Sequence, residues 1–86
     1  MPELSRFYGI IITMYYLDHP PPHFHVRYNE HRAKVSIAGL AIIDGELPSR
    51  VMALVAEWGR AHRQELMDDW NLAVARKPVV KIAPLD

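Results

Sequence analysis

The chain has no cysteine, no excess charge of either sign and no apolar run long enough to cross a membrane. Without cysteine there is no disulfide staple, thiolate ligand or thiol nucleophile, which fits a reducing cytoplasm. Ten basic residues balance ten acidic ones, so the general basic excess of many nucleic-acid binders is missing and only a local patch could serve that purpose. A spanning helix needs roughly 20 apolar residues, and no stretch reaches that length. Glu3 and Arg6 interrupt the N-terminal stretch, so a signal peptide is not expected. A glycine-rich phosphate loop, a nucleophile elbow and a deaminase-type zinc motif are all lacking, and no cofactor is expected.

What remains is 86 residues, half of them hydrophobic, enough for one globular domain with a modest core. Arg6–Tyr16 is rich in β-branched and aromatic residues and apolar on both faces, which predicts a central strand over about 6–16. Asp18-His19-Pro20-Pro21-Pro22 ends it, because three prolines remove backbone donors and favour an extended turn. Residues 23–28 alternate cleanly, with Phe24, Val26 and Tyr28 on one side and His23, His25 and Arg27 on the other. Asn29-Glu30 makes a hairpin tip, and 32–37 alternates again, with Arg32, Lys34 and Ser36 as its polar set. A short strand over 40–43 follows.

From Pro48 to about Arg76 the apolar residues recur at helical spacing, through Val51, Val55, Trp58, His62, Leu66 and Trp70. A single helix over 48–76 would be roughly 42 Å long, so a kink near Gly59, a break near Asp68-Asp69 or a projecting end is expected. Asp68 and Asp69 read as a solvated turn or cap, and Val79–Ile82 as a short edge strand. The architecture is therefore α+β: a three- to four-stranded, mainly antiparallel sheet packed against one long C-terminal helix.

Three of the five histidines fall in His19-Pro20-Pro21-Pro22-His23-Phe24-His25. On a strand, His23 and His25 share a face with Cα atoms roughly 6.6 Å apart, close enough for two imidazoles to meet one metal ion or one phosphate. Three readings stay open. The first is acid–base catalysis by His23 and His25, with Arg27, Arg32 and Lys34 holding phosphates. The second is a metal held by His19, His23 and His25, a set without the cysteines common in structural zinc sites. The third is a bracing role, with the rings packed and hydrogen-bonded around the proline turn. A cationic sheet face with imidazoles can hold an RNA backbone, although Phe24 and Tyr28 should point into the core. His62, on the apolar helix stripe, reads as a core histidine that meets the sheet histidines only if they face the helix. Trp70, toward the far end of the helix, is the candidate contact for a protein partner, since tryptophan is enriched at binding hot spots.

Ser5-Arg6-Phe7-Tyr8-Gly9-Ile10, then Asp18-His19 followed by Pro21-Pro22-His23-Phe24-His25, then Gly45-Glu46-Leu47-Pro48, Glu57-Trp58, His62, Glu65-Leu66 and Trp70, and finally Ile82-Ala83-Pro84-Leu85 resemble a bacterial family of small proteins catalogued as domain of unknown function 4160. The resemblance covers nearly the whole chain. The Pro-Pro-His-Phe-His element is its specific part. Pro20, where the family often has a polar residue, and Ser49-Arg50, in place of a more basic helix start, are mild departures. The resemblance implies a small protein partner encoded nearby, in a layout like that of toxin–antitoxin operons, and supplies no established catalytic residues. RNA, that partner and a second copy of the chain are thus the partners open to it; a membrane is not.

Overall fold

The computed structural model describes residues 2–86. Five strands form one antiparallel sheet in chain order: β1 (Glu3–Phe7), β2 (Ile10–Thr13), β3 (His23–Tyr28), β4 (His31–Ser36) and β5 (Ile42–Gly45). Two helices follow, α1 (Ser49–Ala61) and α2 (Arg63–Val74). The α+β class is as expected, but the element count differs in three places, each for a local reason.

The stretch expected as one central strand is the β1–β2 hairpin, with Phe7 paired to Ile10 and Arg6 to Ile11. Its two turn residues, Tyr8 and Gly9, have φ of 49° and 78°. Positive φ at both positions is what a tight I′ hairpin turn requires, because that turn's twist matches the strands it joins. Tyrosine is unusual there, which is why the apolar run reads as unbroken.

The long helix is two helices. At His62 the backbone leaves helical values (φ −125°, ψ 23°), and its N–H is shared between the Trp58 and Gly59 carbonyls. An unbroken helix would outrun the molecule, whose longest dimension is 33 Å. The turn at His62 instead brings Leu66, Trp70 and Ala73 back to the core. Gly59 sits three residues earlier and serves close packing: a Cβ there would lie 2.6 Å from Leu40 Cδ2.

Residues 79–82 form no strand. The tail runs beside β1 and is tied by a bond from the Ile82 N–H to the Leu4 carbonyl (2.8 Å) and one from Trp58 Nε1–H to the Ala83 carbonyl (2.8 Å). The core lies between the helices and one sheet face, where Ile10, Ile12, Phe24, Val26 and Val35 meet Val51, Val55 and Trp58. Trp58 is at its centre, 5.5 Å from the Phe7 ring and 5.9 Å from the Phe24 ring.

Asp69 also departs from expectation. It is buried, and its Oδ1 accepts the Val80 N–H at 2.8 Å, anchoring the tail to α2. Burial raises its carboxyl above the usual range; the Val80 bond opposes this, and the charges of Asp68 and Glu65 add to it. A raised carboxyl binds its proton more tightly folded than unfolded, so its contribution to stability falls as pH rises from the ordinary carboxylate range toward neutrality. An asparagine at this position would keep an acceptor oxygen for Val80 without the charge. Asp69→Asn is therefore expected to gain stability relative to the parent as pH rises from about 4 to 7, starting from the ordinary aspartate pKa. Urea unfolding across that range checks this; parallel curves for the two proteins would refute it.

Candidate active site on the open sheet face

The helices cover one face of the sheet and leave the other open. On β3 the residues turned to the open side alternate with buried Phe24 and Val26. Strand register then assembles a cross-strand set: His23 opposite Ser36, His25 opposite Lys34, and Arg27 opposite Arg32. β2 adds Thr13 opposite His25 and Ile11 opposite Arg27, while β5 adds Asp44 opposite Lys34. The six polar residues that alternation assigns to one face of the hairpin are thus paired neighbours.

Part of this face is a depression of about 540 Å³. Arg6, Arg27, Arg32 and Lys34 line it with four cationic side chains, against the acids Asp18 and Asp44. Arg6 is paired with Glu3 (2.8 Å), and Lys34 is 3.9 Å from Asp44. Arg27 and Arg32 are exposed. At one end lie His25 and Asp18, with His25 Nε2 2.9 Å from Asp18 Oδ2 and the Tyr15 ring stacked on the imidazole at 4.0 Å.

Asp18 arrives through the turn that the prolines build. Its Oδ1 accepts the His19 N–H at 2.8 Å, a local bond that turns Asp18 inward and leaves the His19 side chain exposed. The expected trio of His19, His23 and His25 is therefore not what the fold gathers; Asp18 stands where His19 was expected. Asp18, His23 and His25 each present a metal-competent atom, all within 4.8 Å of one another. Burial pushes the Asp18 carboxyl up, but the hydrogen bonds from His25 and from the His19 N–H act against it, and the carboxyl lies below its usual range.

His23 is buried beneath this pair. Its Nδ1 lies 2.8 Å from the Pro21 carbonyl, and its ring packs against Trp70 at 5.4 Å. A carbonyl only accepts, so the proton is on Nδ1. Of the two histidines expected to do chemistry, only His25 reaches the depression. The expectation that Trp70 faces a partner is corrected as well: it is 6% exposed, because the turn at His62 folds α2 inward, and it walls His23 instead. His62 is on the helix side, 5.5 Å from the Trp58 ring and 2.5 Å from Glu65 Oε1, apart from the sheet histidines. Ser36 faces the Gly39 N–H of its own turn (3.3 Å). Tyr15, Arg6 and Asp18 are the site residues that alternation along 23–37 does not reach, since they come from outside that hairpin. The signal for Asp18 is its place directly before the His-Pro-Pro-Pro-His turn.

Among the described residues, no helix is long and apolar enough to cross a membrane. Residues 9–71 match the family model described as a domain of unknown function (DUF4160). No curated protein and no solved structure matches the chain.

Proposed function

The chain belongs to the DUF4160 family of domains of unknown function, and on that footing we propose that it acts on RNA through its open sheet face, as one component of a two-protein, toxin–antitoxin-like module. The observation that carries this reading is the meeting, in one depression, of four cationic side chains and the Asp18–His25 pair. Arg27, Arg32 and Lys34 hold backbone phosphates, and half-exposed Tyr15 offers a ring for a base to stack on. Because His25 Nε2–H donates to Asp18, its lone pair is on Nδ1, which takes the proton from a ribose 2′-hydroxyl. Asp18 then steadies the imidazolium. Exposed Tyr16, Leu17 and Val74 gather where the Leu17 N–H meets the Ala73 carbonyl, an apolar area suited to the second protein.

The test is binding of a fluorescent single-stranded RNA across a range of salt concentrations. The variant Arg27→Gln/Arg32→Gln/Lys34→Gln is expected to weaken binding and to reduce the log–log salt slope by about 2, at roughly 0.7 for each phosphate no longer neutralised. An unchanged slope and affinity would remove RNA from the reading. RNA that binds the face but is never cut would instead leave the chain a non-enzymatic binding module.

A further inference from the structure

We infer that Asp18, His23 and His25 form a three-ligand site for a divalent first-row transition-metal ion, open to the depression on the sheet face. Whether or not RNA is the substrate, the cluster holds an electrostatic conflict. His23 Nδ1 carries its proton toward the Pro21 carbonyl at 2.8 Å. In the neutral ring, Nε2 is then a lone pair. That lone pair is 3.0 Å from Asp18 Oδ2, at ion-pair distance but without hydrogen-bond geometry, and Nε2 is a buried polar atom with no hydrogen-bond partner. A lone pair and a carboxylate oxygen so close repel each other unless a positive charge is shared between them. A proton on Nε2 would serve poorly, because it would make a buried imidazolium whose N–H misses the oxygen. A divalent cation, by contrast, accepts both donors at once.

The distances suit such an ion. Oδ2 is 3.0 Å from one imidazole nitrogen and 2.9 Å from the other. Ligand atoms at about 2.0–2.2 Å from a metal are separated by roughly these amounts when they lie about 90° apart, as adjacent positions of an octahedral shell do. Each ligand is also held by a second partner, as metal ligands generally are. His23 is fixed through Nδ1–H to Pro21 and by the Trp70 ring, and Asp18 through Oδ1 to the His19 N–H. His25 is stacked on Tyr15, with the two planes 8° apart.

Two imidazoles and one carboxylate are the donor set of open zinc and non-haem iron(II) sites, which leave positions for water or substrate. Here the open side is toward the depression, because Asp18 and His25 line it while His23 closes the back. On binding, the His25 ring proton passes from Nε2 to Nδ1 through solvent, so that a neutral imidazole ligates through Nε2. The loaded and metal-free forms therefore offer different chemistry on the same face.

The experiment uses full-length protein without a histidine tag, stripped with chelator and titrated with Zn²⁺ by calorimetry and with Co²⁺ by visible absorption. One equivalent is expected, with d–d bands for bound Co²⁺ and a raised melting temperature. His25→Ala and Asp18→Ala are expected to weaken binding by at least 10-fold, while His19→Ala and His31→Ala leave it unchanged. His25 and Asp18 are only partly buried, so circular dichroism can confirm that both variants fold. Absence of saturable binding, or binding that both variants retain or that His19→Ala abolishes, would overturn the assignment.

Discussion

His25→Ala is expected to lower RNA cleavage by about 10²–10⁴-fold, the usual contribution of a positioned proton-transfer group. The loss should come with little structural change. β3 is held by its backbone pairing to β2 and β4 and by buried Phe24 and Val26, none of which the substitution touches. What is lost is the imidazole whose Nε2 is set against Asp18 and whose ring lies on Tyr15. Asp18→Asn should act in the same direction. An amide N–H facing Nε2 drives the ring proton to Nδ1, the nitrogen meant to act as base. The measurement is growth and total RNA integrity after induced expression of the chain alone, wild type beside His25→Ala and His23→Ala/His25→Ala at equal soluble yield. Arrest with cleavage that the variants lose supports the reading; a His25→Ala protein that still cuts at the wild-type rate ends it. Chelation of purified protein then separates two routes. Cleavage that survives chelation belongs to proton transfer at His25, and cleavage that stops belongs to the metal-loaded cluster.

The second large effect is on stability. Trp58→Ala is expected to cost about 3–5 kcal/mol, the range for removing a large aromatic side chain from a packed core. Trp58 is fully buried, packs on the rings of Phe7, Phe24 and His62, and ties down the tail through its bond to Ala83. At roughly 0.05–0.15 kcal/mol per residue, a domain of this size has only about 4–13 kcal/mol in all. The alanine variant should therefore be largely unfolded or melt far below the parent. Trp58→Phe keeps most of the apolar volume and loses the Ala83 bond, for about 1 kcal/mol plus a packing term. Urea unfolding of the two variants checks the ordering, and equal losses would mean that the bond to the tail matters more than the ring.

Alternation made the β3–β4 hairpin legible, because a period of two assigns faces directly: residues 23–28 coincide with β3, and the polar pairs His25–Lys34 and Arg27–Arg32 follow from the two-residue turn at Asn29-Glu30. The family resemblance is legible in the same way, since it rests on contiguous residues such as Pro21-Pro22-His23-Phe24-His25, and the match over residues 9–71 establishes it. The β1–β2 hairpin was hidden because a backbone turn at Tyr8-Gly9 carries no polar marker. The helix break fell at His62 rather than at Gly59 because the glycine meets a packing demand from Leu40, which no pattern within the helix records.

By itself, then, the sequence determined the α+β class, the polar face of the central hairpin and the candidacy of His23 and His25, all of which depend on residues near one another in the chain. Only the tertiary structure decided which histidine meets solvent, that Asp18 rather than His19 joins them, and that Trp70 is a wall of the site rather than a surface for a partner. Those outcomes depend on where a proline turn returns the chain and on how α2 folds back after His62. Contacts between segments far apart in the chain, such as the His23 ring on Trp70 and the Leu17 N–H on the Ala73 carbonyl, set both, and no local periodicity records them.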